Sequence, residues 1–124
     1  YTAASLVSEN RSLCFPASSD SIPTSAGQED HVSMGATSAR KAMSILVNTE
    51  RAIAIELLAA AQGIDLRSPL EPAAGTRAAL GAIREVSPTL EEDRSLSGEI
   101  ETVRRLVADG TLHAAVAEAA GPVE

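Results

Sequence analysis

Residues 52–61 read Ala52-Ile53-Ala54-Ile55-Glu56-Leu57-Leu58-Ala59-Ala60-Ala61, apolar at every position except Glu56. The run is well short of the roughly 20 residues that cross a bilayer, so it reads as a helix buried among several others. Met43, Leu46 and Val47 precede it, and together with Ile53, Ala54, Leu57, Leu58 and Ala61 they recur at spacings of three and four. That period defines one face of a long helix over about 33–62, roughly 45 Å in length. Gly63 is its expected terminator, with Pro69 and Pro72 extending the break. Glu56 is expected either as a buried carboxylate or, better, as the partner of an arginine.

Shorter helices follow outward from this one. Ala79, Leu80, Ile83 and Val86 carry a second helix over 77–86. Pro88 interrupts it, and Glu91-Glu92-Asp93-Arg94 forms a charged connection. Ile100, Val103, Leu106 and Val107 mark a third helix ending at Gly110, and a final turn or short helix covers 112–119. Toward the other end, Ala3, Ala4, Leu6, Val7 and Asn10 fit a helical face with no preceding cap, and the chain starts at Tyr1, so it reads as a fragment that begins inside a helix. There is no repeat of 20–50 residues, no sustained heptad and no strand-type alternation. Hydrophobic residues are 44% of the chain and aromatics 2%, which favours closely packed Ala, Leu, Ile and Val helices. The expected class is all-α, in a chain of 124 residues that makes one domain at most.

The charge balance removes several classes of partner. A net charge of -7 with scattered basic residues offers no continuous positive surface to displace phosphate counterions, so nucleic acid is not expected. Neither a membrane span nor a signal-like start is evident, which points to a soluble, cytoplasmic protein. Cys14 is alone, excluding an internal disulfide and a cysteine-based zinc cluster, and is read as a buried or incidental thiol. Asn10-Arg11-Ser12 matches a glycosylation sequon by chance.

Between the first helix and the long one, residues 15–33 shift to Pro, Ser, Thr, Asp and Gly. On composition this stretch is either a flexible linker or an ordered loop anchored by Ile22, Val32 and Met34. At its end Gln28-Glu29-Asp30-His31 places an amide, two carboxylates and an imidazole just before the long helix. In the ordinary reading Asp30 or Ser33 caps the helix and Glu29 sits in solvent. In the functional reading the loop aims Glu29 into a cleft, to meet a cationic or hydrogen-bond-donating ligand. A metal site is not expected, because the other histidine, His113, is remote and no ligand spacing accompanies it. A Gly-x-Ser-x-Gly elbow and a glycine-rich phosphate loop are likewise missing.

The residues Pro16-Ala17-Ser18, Asp20-Ser21-Ile22-Pro23-Thr24-Ser25-Ala26 and Gln28-Glu29-Asp30-His31-Val32-Ser33-Met34-Gly35 together resemble the histidine ammonia-lyases, within the aromatic amino acid lyase family. The resemblance continues through Ala39-Arg40-Lys41-Ala42 and residues 54–63, and more loosely through residues 90–94, so it covers nearly the whole chain. It implies the carboxy-terminal part of a single ammonia-lyase domain: the end of a helix at 1–14, an active-site loop at 15–33, the long helix at 33–62 and shorter helices at 63–124. The implied fold is the helical superhelix, or bundle, of the fumarase/aspartase-like ammonia-lyases, assembled as a homotetramer whose sites gather residues from more than one subunit.

The implied reaction is elimination of ammonia from L-histidine to give urocanate. Its electrophile, 4-methylidene-imidazol-5-one, forms from an Ala-Ser-Gly that is absent here, so the resemblance places that tripeptide in an earlier part of a longer chain. By the same resemblance Glu29 is the catalytic acidic residue facing the substrate imidazole, with Gln28 beside it in the substrate-binding loop. Related lyases for phenylalanine and tyrosine carry an amide where Glu29 stands. Two positions depart from the common pattern: Gly27 stands where Asn is frequent, and Phe15 where His is frequent. Two rivals remain at this stage. One is a tyrosine or phenylalanine ammonia-lyase or aminomutase. The other is a truncated helical fragment, inactive and acting only in assembly.

Overall fold

The computed structural model describes residues 1–19, 21–29 and 31–121. Its helices are α1 (Thr2–Leu13), α2 (Gly35–Asp65), α3 (Ala74–Arg84), α4 (Ser97–Ala108) and α5 (Thr111–Ala120), with 3-10 turns at Ala17–Ser19 and Ser25–Gly27. No strand occurs among the described residues beyond an isolated bridge between Thr24 and Glu29. The all-α expectation holds.

Each helix matches an expected one, with shifted ends. α2 runs through Gly63 to Asp65, so Gly63 does not terminate it. Glycine inside a helix costs only about 1 kcal/mol relative to alanine, and Leu66 N–H still donates to Gln62 O at 3.1 Å. The chain leaves the helix at a tight turn over residues 65–70, next to the cis peptide between Ser68 and Pro69. α4 ends as expected, with Gly110 in the left-handed region at φ 80°.

The chain divides into two units, residues 1–49 and 50–124. In the first, α1 meets α2 near residues 48–49 through polar groups. Asn48, 6% exposed, donates from Nδ2 to Glu9 Oε2 (2.9 Å) and to Asn10 Oδ1 (3.0 Å). Asn48 is the one buried residue described in this unit. Val7, Met43 and Leu46 are exposed and Val47 is half-buried, so the apolar face expected for the first half of α2 is largely uncovered in this chain. Asn10 is thereby occupied in a side-chain network, and Cys14 is exposed rather than buried.

The second unit holds the core. Ala54, Leu58 and Ala61 recur at i, i+4 and i+7 on α2, and they close against Ile83, Val103 and Leu112. Leu57, Leu80, Val86, Ile100 and Leu106 pack around that cluster. Leu58 is only 8% exposed, so this chain supplies the helices that bury it, whereas Ile53 remains 39% exposed. Glu56 corrects both sequence expectations. It lies exposed on the outer face of α2, and no ion pair to it occurs among the described residues.

Its neighbours carry the charge pairing instead. Arg104 Nη1 reaches Glu50 Oε2 (2.8 Å) and its Nε reaches Glu101 Oε2 (3.0 Å), while Arg51 also pairs with Glu101. Hydrogen bonding from Arg51 first, then Arg104, holds the Glu101 carboxyl below its ordinary value of 4.5. The 85–96 connection is fastened in the same way. Gln62 exchanges two hydrogen bonds with the Leu90 backbone (2.9 and 3.2 Å), and Asp65 accepts from Arg84 Nε (2.9 Å) and Thr89 Oγ1 (2.8 Å). Glu99 takes Arg94 and the Ser87 hydroxyl, and those hydrogen bonds, Arg94 first, lower its pKa. A cavity of about 230 Å³ lies between this connection and α2, lined mainly by Ile55, Leu58, Ala59, Leu90, Leu96 and Ile100.

Candidate active-site loop

The segment between α1 and α2 has no apolar core of its own, yet several of its backbone polar groups are paired across turns, as in an ordered loop rather than a linker. Ser19 N–H and Oγ–H both donate to Pro16 O (3.3 and 2.9 Å), making a first turn. Lys41, reaching from α2, donates to the carbonyl of Phe15 and places its ammonium 5.9 Å from the Phe15 ring centroid. The phenyl group at the position where a histidine is frequent thus supports a lysine from one ring face.

The Gln28-Glu29 pair sits on a small closed loop. Thr24 N–H donates to Glu29 O (3.0 Å) and Glu29 N–H donates back to Thr24 O (3.3 Å), a reciprocal antiparallel pair. Inside it, Gly27 N–H bonds Thr24 O and Gln28 N–H bonds Ser25 O, both at 3.1 Å. To turn this tightly the chain takes three successive left-handed residues: Ser25 (φ 53°), Ala26 (φ 56°) and Gly27 (φ 83°). Glycine accepts that conformation freely, whereas Ser25 and Ala26 carry strain of roughly 1–2 kcal/mol each. Such geometry persists where surrounding bonds over-determine it. No atom lies within 4 Å of a Cβ built on Gly27, so space does not require glycine there, and its backbone dihedral is the constraint.

A second fastening closes the base of the loop. Val32 N–H donates to Ser21 Oγ (2.8 Å), and that hydroxyl donates back to Val32 O (3.3 Å). One hydroxyl thus takes the place of a backbone peptide in a second rung, so the turn that carries Gln28 and Glu29 is tied twice. Both side chains are exposed. Among the described residues neither has a hydrogen-bond partner, and the exposed carboxylate is free to accept a donor from outside the loop.

Ser33, one of the two expected caps, accepts from Gly35 N–H through its hydroxyl (3.3 Å), at the first turn of α2. Asp30, the other, lies outside the described residues. Ser33 at the first turn of α2 and Glu29 in solvent are both what the ordinary reading expects. His31 is exposed and lines a cavity of about 150 Å³ with Ser18, Val32, Ser33 and Ser38. No cluster of three metal-capable side chains occurs among the described residues. Sequence reasoning singled out Gln28 and Glu29 and missed Ser21, since an eleven-residue separation to a backbone amide leaves no local pattern to read.

Comparison with known proteins follows the same residues. The sequence pattern of the family described as aromatic amino acid lyase matches residues 1–85. The chain is 61% identical to the histidine ammonia-lyase of Natranaerobius thermophilus over 112 residues, 90% of this chain and 22% of that protein. It is 59% identical to the histidine ammonia-lyase of Gloeobacter violaceus over its full length, 24% of that protein. Among solved structures, histidine ammonia-lyase from Trypanosoma cruzi superposes with a TM-score of 0.87 at 52% identity, covering 94% of this chain and 23% of that one. Tyrosine aminomutase from Streptomyces globisporus gives the same TM-score at 38% identity, over 96% and 23%. The chain therefore spans under a quarter of the length of these relatives. Its helices are those of the ammonia-lyase fold, and its sequence and fold agree that it belongs to the aromatic amino acid lyase family.

Proposed function

We propose that this chain is the substrate-side segment of a carbon-nitrogen lyase that eliminates ammonia from L-histidine to give urocanate. The observation that carries the reading is the loop itself: Glu29 is exposed at the end of a closed, doubly tied turn, and Ser33 already supplies a hydroxyl to the first turn of α2. A carboxylate held there accepts an imidazole N–H and favours the ring as it gains positive charge; a phenyl ring offers it no donor. Gln28, adjacent on the same turn, contributes an amide able to donate and accept toward the same substrate.

The methylidene-imidazolone of this family supplies an electrophile that makes the amino group a better leaving group. It forms from an Ala-Ser-Gly, and no such tripeptide occurs in these 124 residues. The chain's own residues do not fit the formation of that group, so in this reading it belongs to the remainder of a longer chain. The segment's part is binding and orienting the imidazole. The reading includes a homotetramer, with sites completed between subunits, and a cytoplasmic location. No helix described here is long and apolar enough to cross a membrane.

A tyrosine or phenylalanine lyase or aminomutase is the competing enzyme, and the backbone does not separate the two, since both solved relatives superpose equally well. The acidic side chain at position 29 favours histidine. The test is Glu29→Gln in the complete lyase, which keeps size and one acceptor while removing charge. Losing one charge-assisted hydrogen bond in a partly desolvated site lowers kcat/KM for histidine by about ten- to a hundredfold. A transition-state role lowers kcat together with kcat/KM; a purely binding role raises KM alone. Unchanged kcat/KM for histidine, with normal folding, would refute the reading.

A further inference from the structure

We infer that Ser21 is a positioning residue for Glu29, acting through the Val32 backbone; the inference rests on the role proposed above for Glu29. Three observations lead to it. The turn that carries Glu29 is left-handed at Ser25, Ala26 and Gly27, so the backbone does not hold this shape by local preference. Its inner rung, Thr24 with Glu29, is a single reciprocal pair with a 3.0 Å and a 3.3 Å bond, and an isolated pair in an exposed segment opens readily. The outer rung is the Ser21 hydroxyl, which accepts from Val32 N–H at 2.8 Å and donates to Val32 O at 3.3 Å.

In sequence the two rungs are only three residues apart on either side, 21 from 24 and 29 from 32, so a tie at 21–32 limits how far position 29 can swing. Ser21 and Val32 are both half-buried, which shields this tie from water more than the exposed Thr24–Glu29 pair is shielded. The geometry also explains why a hydroxyl serves here. It accepts from and donates to one residue at the same time, as a backbone peptide would, and serine offers this without committing position 21 to strand geometry. Glu29 touches substrate in this scheme, and Ser21 does not.

The experiment measures Ser21→Ala, Ser21→Thr, Glu29→Ala and the double variant Ser21→Ala/Glu29→Ala in the complete lyase with L-histidine. Ser21→Ala lowers kcat/KM by about tenfold or more, because displacing a catalytic group by an ångström costs up to about a hundredfold. Ser21→Thr, which keeps the hydroxyl, restores it to within about threefold. In the Glu29→Ala background the Ser21→Ala factor shrinks to less than about threefold, since no side chain is left at position 29 to hold in place. Hydrogen exchange at the Val32 and Glu29 amides quickens in Ser21→Ala and not in Ser21→Thr. Should Ser21→Ala fail to fold, Ser21→Cys takes its place. A full Ser21→Ala factor persisting in the Glu29→Ala background, or wild-type turnover by Ser21→Ala, overturns the positioning role while the role of Glu29 stands. Wild-type turnover by Glu29→Ala overturns both.

Discussion

At the scale of single residues, the loop reveals how far a sequence can be read. Gly27 announces a left-handed position, because glycine adopts it without strain, but Ser25 and Ala26 carry no such signal and the three-residue turn was invisible beforehand. Glu29 stood out only through its company in a long matching segment; its ordinary alternative, a solvated acid beside a capped helix, fitted the residue types equally well. The turn makes a checkable claim about Ala26. Replacing it by glycine relieves roughly 1–2 kcal/mol of left-handed strain but adds back about 0.5–1 kcal/mol of chain entropy, so Ala26→Gly is neutral to slightly stabilising. Ala26→Val, with a branched Cβ at φ 56°, opens the loop and speeds hydrogen exchange at the Gln28 and Glu29 amides by about tenfold or more. Equal exchange in the two variants would count against a strained turn.

At the scale of helices, periodicity located all five and misplaced their ends, because the spacing of buried positions reports a face and says little about where hydrogen bonding stops. α2 shows the reason. Gly63 resembles a terminator in isolation, yet its helical context outweighs its cost, and the expectation failed by three residues. Gly63→Ala therefore stabilises the chain by about 0.5–1 kcal/mol, since nothing lies within 4 Å of the added Cβ. Gly75 on α3 is the opposite case. A Cβ there meets Val116 Cγ1 and Ala120 Cβ at 3.3 Å on α5, so Gly75→Ala gains the same helical preference and loses it to crowding. Paired thermal melts would show Gly63→Ala raised and Gly75→Ala unchanged or lowered. If both rose equally, the close approach of α3 and α5 would be wrong.

At the scale of the whole molecule, two kinds of cohesion coexist in one chain. The second unit is held by apolar burial and by carboxylates tuned by arginine. Glu99 and Glu101 have folded pKa values below their ordinary 4.5, so the stability they add is present above that value and is lost as pH falls through the folded values. Titrating thermal stability downward from neutrality should show a loss that begins below about pH 4.5, and Glu99→Gln should flatten it. Val103 is fully buried, and Val103→Ala should cost about 2 kcal/mol by cavity formation, read from a urea midpoint at constant slope. The bare chain, with Met43, Leu46 and Ile53 exposed, should self-associate on size exclusion and form no urocanate.

The Asn48 seam of the first unit leads to a calorimetric consequence. Heat capacity rises on unfolding chiefly because apolar surface becomes hydrated, and polar surface works the other way. An assembly tied by Asn48, Glu9 and Asn10, with Val7, Phe15, Ile22, Met43 and Leu46 exposed and no large apolar side chain fully buried, has less such surface left to expose. Melting of residues 1–49 should thus be broad and leave the baseline nearly level, while almost the whole heat-capacity step accompanies loss of the helices around Val103.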